Sequence, residues 1–172
     1  WQNRLDSKMT NLLKTICVLI MMTSMACVRA DDTSDKAAAV ATLEGFFAAF
    51  SVEHYPNPSM GDWITDDFLI FEMGEVFTWP SFQAFLAGAG YADWISTDWQ
   101  FSELRVSVSG QAAHISYVNE GEFIYPDPAN PEGRLRERNR WLESVYLVKK
   151  DGRFKIKFLQ SDNVTREVAA YP

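Results

Sequence analysis

From Ala39 onward, apolar residues recur at three- and four-residue steps: Ala39, Leu43, Phe46, Phe47 and Phe50. That spacing places them on one face of a helix ending near Phe50, with Ser34 or Asp35 as its cap. A polar lead-in over 31–35 precedes it and is expected to be mobile. Tyr55-Pro56-Asn57-Pro58 breaks the helix. Residues 59–64 then predict a short second helix or turn carrying Trp63. Asp67–Met73, rich in Phe, Leu and Ile, predicts a strand, and Gly74-Glu75 turns it back into Val76-Phe77. Thr78 caps a further helix that has Pro80 in its first turn and stops near Gly88-Ala89-Gly90.

The pattern then changes to strands. Residues 96–109 predict one long strand with a bulge, because the apolar positions switch from odd (Trp99, Phe101) to even (Leu104, Val106, Val108). Gly110-Gln111 is a turn, 112–125 a strand, and 126–133 a Pro-rich loop. A third strand covers 135–150, Asp151-Gly152 is a hairpin turn, and a fourth strand covers 153–162. Residues from Asn163 show no pattern, and 165–172 read as a tail. The order predicts an α+β domain with an antiparallel sheet and its helices on one face.

Three stretches resemble the NTF2-like superfamily, in its SnoaL-like and ketosteroid-isomerase-like branches. They are the amphipathic first helix, the segment DWITDDFLIFEMGEVFTWPSFQAFL, and the closing hairpin RWLESVYLVKKDGRFKIKFLQSD. The resemblance covers 36–164 and implies a cone, a curved antiparallel sheet wrapped around N-terminal helices. It also implies a homodimer, paired through the outer sheet face. Relatives place His near Gln160 and Ser or Thr near Asp162; this chain departs at both. The superfamily includes isomerases, dehydratases, cyclases and binding domains, so the resemblance leaves function open.

Residues 9–30 read as a secretory signal peptide: Met9 as start, Lys14 as the basic n-region, an apolar core at 16–22, and Val28-Arg29-Ala30 before cleavage. The core is shorter than the roughly 20 residues of a membrane-spanning helix. Cys27 after Ser24-Met25-Ala26 offers an alternative lipoprotein reading. Residues 1–8 read as upstream or non-native sequence. The expected location is therefore periplasmic or secreted. Both cysteines, Cys17 and Cys27, fall within 9–30, so the exported part has none and must rest on its apolar core.

Asp6 is the only acidic residue before Asp31, and Arg4, Lys8, Lys14 and Arg29 are the basic ones. The remainder therefore carries 22 acidic and 12 basic side chains. That balance argues against nucleic acid and against an anionic membrane surface. Aromatic residues make up 14% of the chain, which suggests a lined hollow as well as a filled core.

Strand alternation selects candidate site residues. In the last strand Phe154, Ile156 and Phe158 are apolar between Lys155 and Lys157, so even positions, including Gln160 and Asp162, are expected inside. On the preceding strand the even set Leu142, Ser144, Tyr146 and Val148 is assigned inward. The odd set Trp141, Glu143, Val145 and Leu147 is nearly as apolar. Ile115, Tyr117 and Asn119 are assigned inward, His114, Ser116, Glu120 and Glu122 outward. The candidate pocket is thus Tyr117, Asn119, Ser144, Tyr146, Phe158, Gln160 and Asp162, roofed by Trp63, Phe82 and Trp94. Asp162 is the candidate general base, its pKa raised in an apolar cavity, with Tyr117 and Asn119 as oxyanion donors. Glu72 faces inward only if Phe68 and Ile70 do; Asp66 and Asp67 read as turn residues.

His54 and His114 have no spaced partners, which excludes a zinc site or a Ser-His-Asp triad. There is no phosphate-binding Gly loop, and no cofactor is expected. The alternating Arg134, Arg136, Arg138 and Arg140 read as a solvated or salt-bridged face. Asn163-Val164-Thr165 matches a glycosylation sequon by chance. Three functions follow: a binder of a small apolar or aromatic molecule, a cofactor-independent isomerase, dehydratase or cyclase, and an interaction domain using the outer sheet face.

Overall fold

A computed structural model describes residues 32–172, and its main compact unit is Lys36–Pro172. The segment read as a signal peptide, with Cys27, lies outside the described residues. Helix α1 is described from residue 32 and ends at residue 50. The expected lead-in is therefore helical from 32, and Ser34 and Asp35 lie inside the helix rather than capping it. Ala39, Leu43, Phe46, Phe47 and Phe50 are all buried.

A single-turn 3-10 helix, Pro58–Asp62, leads through Trp63 into β1 (Ile64–Glu72). Met73 and Gly74, both at positive φ, turn β1 into β2 (Glu75–Thr78), one residue earlier than the Gly74-Glu75 turn expected. Positive φ at both central residues gives the twist a two-residue hairpin needs. Helix α2 (Trp79–Gly88) starts with a capping box between Thr78 and Ser81 and Pro80 in its first turn. Four long strands follow: β3 (Ser96–Ser109), β4 (Ala112–Pro126), β5 (Arg134–Lys150) and β6 (Arg153–Tyr171).

The sheet order is β2-β1-β6-β5-β4-β3. All neighbours are antiparallel except β1 and β6, which run parallel. The sheet is antiparallel as expected apart from this one pair, where the first and last strands meet side by side. The patternless tail is also part of the sheet: 165–171 pair with Arg134–Arg140.

The sheet curves around α1. Phe46 packs on Phe68 of β1 with ring centroids 5.9 Å apart, while Phe47 packs on Trp99 and Phe101 of β3 at 5.0 and 4.9 Å. Four strand spacings separate β1 from β3, about 19 Å in a flat sheet. One helix about 10–12 Å across reaches both only if the sheet bends into a cone.

Bulges produce that bend. In β3 the register slips between Ser102 and Arg105, with Glu103 at positive φ, where the apolar parity switch predicted it. Leu104 sits on the bulge and is exposed, whereas Val106 and Val108 pack inward. Two slips in β6 have no counterpart in the sequence reading. Leu147 pairs with Ile156 but Tyr146 with Phe158, which leaves Lys157 unpaired; Trp141 pairs with Asn163 but Arg140 with Thr165, which leaves Val164 unpaired.

Gly45 of α1 shows how closely the helix is approached. A Cβ there would overlap the Trp63 ring. Alanine gains about 1 kcal/mol over glycine in a helix interior, but overpacking costs about 1–3 kcal/mol. Gly45→Ala is therefore expected to lower stability in denaturant titration. In a Trp63→Ala background the same substitution is expected to become neutral or stabilising, and a loss of the same size in both backgrounds would refute the contact as its cause.

Candidate functional site

The Lys157 bulge decides which side chains enter the cone. Before it, the even residues Phe154 and Ile156 are buried; after it, the odd residues Leu159 and Ser161 are. Paired residues of an antiparallel sheet share a face. Val145, opposite Leu159, and Glu143, opposite Ser161, therefore point inward.

This corrects the site assigned from alternation. Ser144, Tyr146, Phe158, Gln160 and Asp162 lie together on the outer face, where Tyr146 pairs with Phe158, Ser144 with Gln160, and Leu142 with Asp162. Asp162 and Gln160 are exposed, so Asp162 does not lie in the apolar interior assigned to it. Tyr117 and Asn119 do face inward and are buried. Phe82 and Trp94 line the interior cavity, whereas Trp63 lies against α1 outside it.

The cavity has a volume of about 140 Å³. Its walls are Phe46, Phe47 and Phe50 from α1, Phe82, Phe85 and Leu86 from α2, and Tyr91, Trp94, Trp99, Phe123 and Trp141. Phe50 is the centre of the aromatic array, its ring centroid 5.2 Å from Tyr91, 5.9 Å from Trp99 and 6.0 Å from Phe82. Tyr91 Oη donates to the Phe50 carbonyl at 2.8 Å, which fixes the end of α1 against the 3-10 turn Tyr91–Asp93. Exposed Met73 and Phe85 form the rim.

Two carboxyl groups enter this apolar space. Phe68 and Ile70 are buried, which settles the orientation of Glu72: it lines the cavity from the end of β1. Glu143 lines it from β5 and is 8% exposed. The Ser161 hydroxyl donates to its Oε1 at 2.9 Å, and the Asn119 amide to its Oε2 at 3.1 Å. Tyr117 Oη and Asn119 Oδ1 are buried nearby without a hydrogen-bond partner of good geometry.

Burial pushes the Glu143 carboxyl up to about 7, the neighbouring donors pull against it, and the charge of Glu72 adds to the rise. Glu72 is raised as well, first by burial and also by the charge of Asp162, with Ser161 and Trp141 opposing. Tyr117 is held well above its ordinary value by burial and by Glu143. Among the described residues, no Lys, Arg or His lines the cavity. Farther along β5 the buried Glu137 differs: Arg166 grips it with two contacts of 2.9 and 2.8 Å, and Tyr125 and Asn139 donate as well.

Among the other sequence candidates, Arg138 pairs with Glu122 at 2.7 Å and Arg140 approaches Glu120 at 3.6 Å, a salt-bridged outer face. Asp67 is exposed and pairs with Lys157. His114 is exposed on the outer face, and His54 bonds locally to Ser51 at the end of α1. No group of three His, Cys, Asp or Glu among the described residues is arranged to hold a metal. Glu143 and Ser161 were missed in the sequence. Two signals point to them: adjacent apolar Phe158 and Leu159, which mark a parity change, and a single acid within the otherwise apolar row Trp141, Val145, Leu147.

No protein-family model matches the sequence, and no curated protein matches it. Solved structures do match. A protein from Novosphingobium aromaticivorans assigned by name as a scytalone dehydratase superposes with a TM-score of 0.61 at 14% identity, over 81% of this chain and 89% of its own. The hexachlorocyclohexane dehydrochlorinase LinA-type3 from Novosphingobium barchaimii gives 0.57 at 13%, over 80% and 92%. The association domain of C. elegans CaMKII gives 0.57 at 16%, over 77% and 98%. This chain has the NTF2-like fold. At these identities the likeness extends to architecture alone, and structures with this fold include both enzyme-type proteins and association domains.

Burial of Glu143 has a thermodynamic consequence. Its carboxyl holds a proton more tightly when folded (about 7) than its ordinary value of 4.5, so the folded state binds more protons between them. Stability then falls as pH rises through that window, by on the order of 3 kcal/mol. Glu143→Gln, which keeps a polar group against Asn119 and Ser161, is expected to flatten this part of the pH–stability curve in urea titrations. An unchanged slope would place the titration elsewhere.

Proposed function

We propose that the chain binds a small apolar or aromatic molecule in its cone, in an exported protein. The observation carrying this reading is the cavity of about 140 Å³, walled by aromatic rings and entered by Glu72 and Glu143. A cavity of roughly this size admits a single-ring molecule. The two carboxyl groups supply the few polar contacts that orient a ligand in an otherwise apolar site.

A second reading is proton transfer without a cofactor, of isomerase or dehydratase type. It is favoured by Glu143, whose carboxyl exchanges its proton near neutral pH because burial raises it to about 7. In this reading Glu143, not Asp162, is the general base, and the Tyr117 hydroxyl and Asn119 Oδ1 lie in the surroundings of the reacting group. For a substrate turned over by the protein, Glu143→Gln is expected to reduce kcat by at least about a hundredfold, and Asp162→Asn by less than about twofold. The reverse pattern would return the role to the outer face.

Homodimer formation is supported by the outer sheet face, where Leu142, Tyr146 and Phe71 are exposed and Phe71 packs edge-on against Phe158. This face would serve assembly while the cone serves the ligand.

Toluene titrated into the protein is expected to change tryptophan emission saturably, because Trp94, Trp99 and Trp141 line the cavity. Leu159→Phe, which extends a buried wall residue into the cavity, is expected to weaken binding by at least about tenfold. Absence of saturable binding in the unmodified protein would overturn the ligand-binding reading.

A further inference from the structure

Resting on the reading of the cone as a ligand site, we infer that its ligand class is a small organic cation: a protonated amine or quaternary ammonium on a ring-sized apolar body. Glu72 and Glu143 are its counter-charges, and the aromatic walls are its cage.

The inference starts from an imbalance of charge. Two acids on different strands, β1 and β5, converge on one cavity, and among the described residues no basic side chain lines it. The same sheet shows what a compensated acid looks like: Glu137 is buried against the Arg166 guanidinium and satisfied by four donated contacts. Glu143 is equally buried but receives only neutral donors, Ser161 and Asn119 at close range and the Tyr117 hydroxyl beside them. A carboxylate has about four acceptor sites, so three neutral donors still leave capacity for a ligand. The buried Asn119 Oδ1 beside it adds a further acceptor in the same place. The titratable groups that bear on the pair are Tyr117 of β4, Asp162 of β6 and the two acids themselves, none of them cationic.

The walls select the same sign of charge. Faces of Trp, Tyr and Phe rings attract a cation, most strongly where water is excluded, and Phe50, Phe82, Trp94, Trp99 and Trp141 surround the space. An anion would meet two carboxylates and the negative faces of those rings. A wholly apolar molecule would fill the volume yet give buried Glu143 and half-buried Glu72 no new partner while taking water from them. A cation on a ring-sized body satisfies both the walls and the acids.

Three ligands of one shape and different charge test this: benzylammonium, benzyl alcohol and benzoate, with toluene as the uncharged reference. Calorimetry at about pH 8, where most of the Glu143 carboxyl is ionised, is expected to give benzylammonium at least about tenfold tighter binding than benzyl alcohol, with benzoate undetectable. Glu72→Gln and Glu143→Gln are each expected to remove most of that preference, whereas Gln160→Ala on the exposed outer face is expected to leave it within about threefold. A cooperative urea transition reports that each variant is folded. If benzyl alcohol binds as tightly as the ammonium, or benzoate competes, the cation inference is overturned while the ligand-binding reading stands. If neither toluene nor any of the three binds, the reading on which it rests has failed.

Discussion

One helix touching both ends of a sheet is the constraint from which the rest of this structure follows. Phe46 and Phe47 are neighbours in sequence, yet one packs on β1 and the other on β3. Adjacent helical residues project about 100° apart, so α1 presents two directions of aromatic surface. Only a sheet bent around it can cover both. Bending requires bulges, and each bulge shifts which residues face the helix. The contents of the cone are therefore a consequence of how the sheet reaches around α1.

That dependence explains what was legible in the sequence. The helices, the long strands and their turns follow from local signals: apolar spacing in α1, Thr78 and Pro80 at the start of α2, Asp151-Gly152 between β5 and β6. The bulge in β3 was legible because its apolar residues change parity. The bulge at Lys157 was hidden because Phe158 is as apolar as the inward residues before it, although it packs with Phe71 on the outer face. Extending one parity past Lys157 moved Gln160 and Asp162 to the wrong side. The even set of β5, assigned inward in its turn, placed Ser144 and Tyr146 there with them. On β4, which carries no bulge across these positions, Tyr117 and Asn119 were placed on the correct face. The parallel pairing of β1 with β6 leaves no local trace at all, since it joins Ile70 to Leu159 across most of the domain.

The two buried acids of β5 show how one strand can serve structure and chemistry at once. Glu137 closes a network with Arg166, Tyr125 and Asn139, and its burial is compensated within the protein. Glu143 lies six residues along on the same face with hydrogen bonds but no counter-ion. A buried charge in that state is expensive, and perturbed carboxyl groups of this kind concentrate where proteins bind or react. The outer face, with its exposed apolar patch and cross-strand salt bridges, has no such imbalance.

The position of β6 also constrains how the molecule comes into being. It is made after all the other strands, yet it is inserted between β1 and β5. A growing chain therefore carries two strand edges open to the wrong partners until its final segment arrives. Its wall of aromatic rings has no fourth side for the same period. The pairing that closes the cone spans long sequence separations, which makes assembly slow relative to a helical domain of this size. Vectorial synthesis can preform the β3-β4-β5 meander, but the cavity comes into existence only when the last strand is threaded home.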